Sequence, residues 1–170
     1  MAVTADLATA LAAPARGATL VQLRGPKLPA RSLEELASRL VAESPVPVVI
    51  SSRVDVALAS GAAGVNLPEA DLPVAEARRL LGPERLVGRS VHSAAAAASA
   101  EVDGADYVVF GPIFETPSHP SQAGLGLDEL AAVAAAISVP VLAIGGVDRE
   151  RGRECLAAGA AGFAAVRLFQ

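Results

Sequence analysis

The chain contains two histidines, His92 and His119, the side-chain type best suited to exchanging a proton near neutral pH. His92 ends the apolar run Leu86–Val91 and is the candidate acid/base catalyst. His119 lies in Thr116-Pro117-Ser118-His119-Pro120, where substrate contact and a solvated loop position both remain open. A second feature is Gly145-Gly146-Val147-Asp148, directly before a helical stretch. Glycines let backbone N–H groups approach an anion, and a helix N-terminus favours negative charge, so Gly145 and Gly146 are candidate phosphate ligands. Val166 and Arg167 join them, the arginine as a bidentate partner for phosphate. Gln22, Arg24 and Asn66 are further candidate substrate contacts, because each lies within or just after an apolar run, and Thr116 joins them from the loop after the sixth run. Cys155 has no histidine near it in sequence and reads as a small buried hydrophobe.

These residues need a scaffold that brings many strand ends to one face. A repeated phrase supplies it. Gly17-Ala18, Gly61-Ala62, Gly104-Ala105 and Gly159-Ala160 each follow a helical stretch and open an apolar run. Glycine there permits a left-handed helix C-cap. Pro45 and Pro47, and later Pro140, introduce two further runs. The runs are Ala2–Thr4, Leu20–Arg24, Val46–Ser51, Gly64–Leu67, Leu86–Val91, Tyr107–Gly111, Val141–Gly145 and Phe163–Arg167. They are continuous rather than alternating, as parallel strands covered by helices should be.

The expected helices lie between them. Ser32-Leu33-Glu34-Glu35 reads as a capping box, followed by an apolar stripe of Leu33, Leu36, Ala37, Leu40 and Val41. Asp71, Ser93, Asp128 and Asp148 are the other expected helix starts, and Gly82 an expected stop. Strand and helix in regular alternation predict a compact α/β fold, a (β/α)8 TIM barrel formed by residues 1–170 as one domain. Its first strand is abbreviated and its last helix missing or truncated, so a homodimer or larger assembly is expected to cover the exposed flank. An open doubly wound sheet is the runner-up, but no G-x-G-x-x-G follows the first strand. In such a barrel the active site lies at the C-terminal ends of the strands, where the residues above fall. The loop Pro112–Gly126 is long enough to act as a lid or binding loop.

Composition narrows the function class. The net charge is −4 and the basic residues are dispersed, so no nucleic-acid footprint is expected. No apolar run approaches the roughly 18 residues of a membrane span. No secretory leader is evident after Met1, and one cysteine cannot form an intramolecular disulfide, so a cytoplasmic protein is expected.

Several stretches, taken in order, resemble the superfamily of thiamine-phosphate synthases and thiazole tautomerases along nearly the whole chain. Val21-Gln22-Leu23-Arg24 is similar to its V-Q-L-R strand, and Arg53-Val54-Asp55-Val56-Ala57-Leu58 to its R-V-D-x-A-L segment. Gly104–Phe114 resembles G-A-D-Y-x-x-x-G-P-x-F, and Ala143–Val147 resembles A-I-G-G-I. The synthases join a pyrimidine pyrophosphate to a thiazole phosphate with magnesium, using Asn-Asp at the end of the third strand. Those positions are Ser51 and Ser52 here. Asp71 matches the synthases' second metal carboxylate, His119 stands at their T-x-x-K lysine, and Pro26 falls where a lysine follows Q-L-R, with Lys27 one place late. Hydroxyls are poor replacements for a carboxylate on a hard cation.

The departures resemble the tautomerases. Gly88-Arg89-Ser90-Val91-His92-Ser93 is similar to their G-R-S-V-H-S, Val65-Asn66-Leu67-Pro68 to their V-Q-L-P, and Phe114-Glu115-Thr116 to their F-E-T. The resemblance implies a thiazole tautomerase, an isomerase aromatising a carboxylated dihydrothiazole phosphate. It implies His92 as acid/base, a small phosphorylated thiazole as ligand, and no metal or other cofactor. Arg24 or His119 would hold the carboxylate. The alternatives are a magnesium-dependent synthase, with Asp71 as metal ligand, and a silent paralogue that binds thiazole or thiamine phosphates without turnover.

Overall fold

The computed structural model describes residues 1–116 and 123–169. Eight parallel strands form one sheet in the order β1 to β8: Ala2–Thr4, Val21–Leu23, Val48–Ser51, Gly64–Leu67, Leu86–Val91, Tyr107–Phe110, Val141–Ile144 and Gly162–Ala164. The sheet closes on itself. Ala2 bridges Ala165 in parallel, Val3 N–H donates to Ala165 O at 3.0 Å, and Ala165 N–H donates to Met1 O at 3.1 Å. Helices alternate with the strands: α1 Leu7–Ala12, α2 Ala30–Glu43, α3 Val54–Ser60, α4 Val74–Leu81, α5 Ala94–Val102, α6 Gly126–Ala136 and α7 Arg149–Ala157. This is the (β/α)8 barrel expected from the sequence. Among the described residues no helix follows β8.

Side chains alternate between two cores. Those pointing outward from the strands, such as Val21, Leu23, Ile50, Val65, Leu67, Val87, Val108 and Phe110, are fully buried against the helices. Those pointing inward, Met1, Val3, Val49, Tyr107, Val109 and Ala164, fill the barrel interior as a separate cluster. Gly88 makes room there: a Cβ on it would lie 2.1 Å from Cζ of Tyr107. The interior turns polar towards the C-terminal ends of the strands. Gln22 Nε2 donates to Ser51 Oγ at 3.2 Å, and Asn66 Nδ2 donates to Ser90 Oγ at 2.9 Å.

The repeated Gly-Ala phrase works as expected, since Gly17, Gly61, Gly104 and Gly159 all take φ between 69° and 96°. Ser93 and Asp148 cap their helices, Ser93 accepting from Ala96 N–H and Asp148 from Glu150 and Arg151 N–H. Three expected starts need correction. Helix α2 begins at Ala30 behind Pro29, which places Ser32 inside the first turn. Helix α6 begins at Gly126, two residues before Asp128, and α4 begins behind Pro73 while Asp71 accepts from its neighbour Leu72 N–H. Gly82 does stop α4, at φ 79°. Cys155 is fully buried in α7. Opposite the barrel mouth, Arg78 ties the end of α4 to the start of two strands. Its guanidinium donates to Gly82 O, Arg85 O and Asp106, while Asp106 accepts Val87 N–H at 2.6 Å.

Candidate active site

Several strands end one to three residues earlier than the apolar runs suggested. Arg24, Gly111, Gly145 and Val166–Arg167 have left the ladder and form the rim of the barrel mouth. There they enclose a cavity of about 450 Å³. Its walls bring together Arg24 after β2, His92 after β5, Gly111 and Thr116 after β6, Gly145 and Gly146 after β7, and Val166 and Arg167 after β8. Seven sequence-predicted site residues therefore share one cavity: Arg24, His92, Thr116, Gly145, Gly146, Val166 and Arg167.

His92 is exposed to the cavity and anchored on two sides. Its backbone N–H donates to Glu69 Oε2 at 2.8 Å. Its ring Nδ1 lies 2.5 Å from Gly111 O. A carbonyl oxygen can only accept, so Nδ1 carries the hydrogen and Nε2 is left as the basic nitrogen. Arg89 holds the loop that supplies Glu69, donating to Leu72 O at 2.8 Å and to Glu69 O at 2.6 Å.

The turn after β7 has the features of an anion site. Gly145 and Gly146 both take positive φ, 97° and 66°. Gly145 O accepts from Phe114 N–H at 3.1 Å, and Gly146 O accepts from Arg151 Nη1 at 2.9 Å. Among the described residues, no acceptor takes the N–H of Gly146, Val147, Val166 or Arg167. Side chains would obstruct this turn: a Cβ on Gly145 would lie 2.5 Å from Pro112, and one on Gly146 2.6 Å from Glu115 O. The N-terminus of α7 follows directly, adding its dipole. Arg24, Arg151 and Arg167 supply positive charge around the cavity, against Glu115 and the capping carboxylate Asp148.

Two expected contacts are placed elsewhere. Gln22 and Asn66 are 5% and 2% exposed inside the barrel and do not line the cavity. They point inward from mid-strand and hydrogen-bond to Ser51 and Ser90. His119 lies outside the described residues. Glu69, Glu115 and Arg151 are functional candidates that reading strand ends passes over, since none follows an apolar run directly.

A magnesium site at the positions the synthase alternative implies would have to be built from Ser51, Ser52 and Asp71. Ser51 Oγ accepts from Gln22, and Asp71 Oδ1 is occupied by Leu72 N–H. Ser52 sits at φ 66°, its N–H bonded to Asn66 O at 3.1 Å. Among the described residues no group of three or more His, Cys, Asp or Glu side chains converges. Asp71 is the single carboxylate of the three, and hydroxyls are weaker ligands for a hard dication than the carboxylates it ordinarily takes from protein.

A family model described as thiamine monophosphate synthase matches residues 2–169. The chain is 42% identical over 158 residues to the thiamine-phosphate synthase of Methanoculleus marisnigri, covering 91% of this chain and 75% of the relative. It is 41% identical over 157 residues to that of Moorella thermoacetica, covering 89% and 74%. Among solved structures, the thiamine phosphate pyrophosphorylase of Pyrococcus furiosus superposes with a TM-score of 0.86 at 32% identity, covering 97% of this chain and 83% of that one.

Proposed function

This chain belongs to the thiamine monophosphate synthase family, and within it we propose that it is a thiazole tautomerase that aromatises a carboxylated dihydrothiazole phosphate by proton transfer through His92. The observation that carries this reading is the His92 ring, with Nδ1 committed to Gly111 O and Nε2 left basic in a cavity that the Gly145–Gly146 turn also lines. The reaction needs one proton taken from the ring carbon that bears the carboxylate and one returned to the exocyclic carbon. No proton is gained or lost overall. Nε2 of His92 accepts the first and, as the imidazolium, delivers the second. The phosphate sits against the N–H groups of Gly146 and Val147, with Arg167 adjacent. Arg24, which lines the same cavity, would hold the carboxylate.

A second reading is favoured by the relatives' names. Proteins called thiamine-phosphate synthase or putative thiamine-phosphate synthase share up to 46% identity over most of this chain, and a synthase joins the pyrimidine and thiazole halves of the vitamin. The same cavity would then hold the thiazole phosphate for coupling. What favours the tautomerase over it is the donor set at Ser51, Ser52 and Asp71. One pair of assays separates them: isomerisation of the dihydrothiazole carboxylate phosphate, and coupling of pyrimidine pyrophosphate to thiazole phosphate with magnesium. The tautomerase reading expects the first and not the second.

A further inference from the structure

We infer that Arg151 is the positioning residue of the anion cradle, fixing the Gly145–Gly146 turn against Phe114 so that the cavity selects ligands carrying a phosphate. The inference rests on reading the cavity as the site of a phosphorylated ligand.

Two consecutive peptide planes set the geometry of the turn. In a trans peptide the carbonyl and the following N–H point in opposite directions. Gly145 O is held by Phe114 N–H at 3.1 Å, which turns the Gly146 N–H away from that loop. Gly146 O is held by Arg151 Nη1 at 2.9 Å, which turns the Val147 N–H away from the arginine. Those are two of the N–H groups with no acceptor among the described residues, and both residues line the cavity. Successive N–H groups presented this way form a nest for an anion. The first hydrogen bond is backbone to backbone. The second depends on one side chain.

That side chain is itself restrained. The Arg151 guanidinium stacks over the Phe114 ring with Cζ 4.7 Å from its centroid. Its backbone N–H is bound to the α7 cap, Asp148 Oδ1, at 2.9 Å. Arg151 thus spans from the first turn of α7 to the loop after β6 while holding the glycine turn between them. Without the guanidinium, Gly146 O would be free to rotate towards the cavity and present a negative pole to the incoming phosphate. A planar, pre-organised donor suits this role better than a flexible ammonium.

The test compares the parent protein with Arg151→Met and Arg151→Lys by titration calorimetry, using thiazole phosphate and its unphosphorylated alcohol as probes. Arg151→Met keeps an apolar stem over Phe114 and loses the donor. It should bind thiazole phosphate about 10- to 100-fold more weakly than the parent, with binding of the alcohol unchanged. Arg151→Lys, which keeps the charge but not the fork, should restore only part of the loss. The amide resonance of Val147 in the ligand-free protein should shift in Arg151→Met, a change that a mere loss of surface charge would not produce. Equal binding of thiazole phosphate by parent and Arg151→Met, or an unmoved Val147 amide, overturns the inference while leaving the cavity's assignment intact. A parent that does not prefer the phosphate over the alcohol overturns the assignment and the inference together.

Discussion

His92 Nδ1 lies 2.5 Å from the carbonyl oxygen of Gly111, a contact that joins the residue after β5 to the residue after β6 across the rim of the barrel. It fixes the tautomer without a carboxylate partner on the ring. The backbone of the same residue is fixed independently, through Glu69 Oε2. The imidazole is therefore aimed by its neighbours on both sides and presents one basic nitrogen to the cavity.

The Glu69 contact is open to a graded test. Glu69→Gln keeps an acceptor oxygen for the His92 N–H and should leave turnover within a few-fold of the parent. Glu69→Ala removes the acceptor, and turnover should fall roughly ten-fold, consistent with losing one hydrogen bond to a charged group. KM should stay constant in both, because Glu69 does not line the cavity. Steady-state kinetics of the two variants decide this; equal kcat in all three proteins removes Glu69 from the account.

Arg167 lines the cavity, and among the described residues no acceptor holds its guanidinium. If it contacts the phosphate, Arg167→Ala should cost about 1.5–3 kcal/mol of substrate binding, roughly a 10- to 150-fold rise in KM. Charge-assisted bonds to a remote phosphate act alike in ground and transition states, so kcat should hold. An unchanged KM would remove Arg167 from the phosphate site.

Much of this arrangement is legible in the sequence, because its parts obey local rules. The strands show as continuous apolar runs introduced by Gly-Ala or proline, and β1, β4 and β5 occupy the expected residues. Helix starts are less legible at Ser32, Asp71 and Asp128. In each case the side chain has the right type for a cap, but the point at which the chain leaves the barrel puts the first turn elsewhere, behind Pro29, behind Pro73 and at Gly126. His92, Arg24, Gly145, Gly146 and Arg167 are readable because strand ends converge in a parallel barrel. Gln22 and Asn66 mislead for the same reason: in three- and four-residue strands, adjacent positions separate the rim from the buried interior. Arg151 and Glu69 leave no local trace. Each acts on a partner brought near by the fold, Phe114 for Arg151 and His92 across 23 residues for Glu69.

The barrel interior yields a prediction about pH. Tyr107 is the single tyrosine, and its hydroxyl is buried without a hydrogen-bond partner among the described residues. Burial pushes its pKa well above the ordinary tyrosine value, and the charge of Asp106 adds to the rise. The folded pKa thus exceeds the unfolded one, near about 10. The sign follows: the contribution is fully present below pH about 10 and is lost as pH rises above it, because only the unfolded chain ionises readily. Tyrosinate absorbance should appear together with unfolding, and free titration near pH 10 in the folded protein would contradict this. Tyr107→Phe removes the orphaned hydroxyl and should be neutral or stabilising by about 1 kcal/mol. Gly88→Ala, which would press on the same ring, should cost at least about 1–3 kcal/mol in denaturant unfolding.

The central claim is that His92 moves the proton without a metal ion. His92→Asn retains size and polarity but has no titratable nitrogen. The direct measurement is the rate of isomerisation of the dihydrothiazole carboxylate phosphate by the parent and by His92→Asn, each with and without EDTA. The parent should turn the substrate over at the same rate in EDTA, and the variant, folded as judged by circular dichroism, should be about 10²–10⁴-fold slower. Full isomerase activity in His92→Asn, or a parent that is inert with this substrate yet couples pyrimidine pyrophosphate to thiazole phosphate until EDTA stops it, would contradict it.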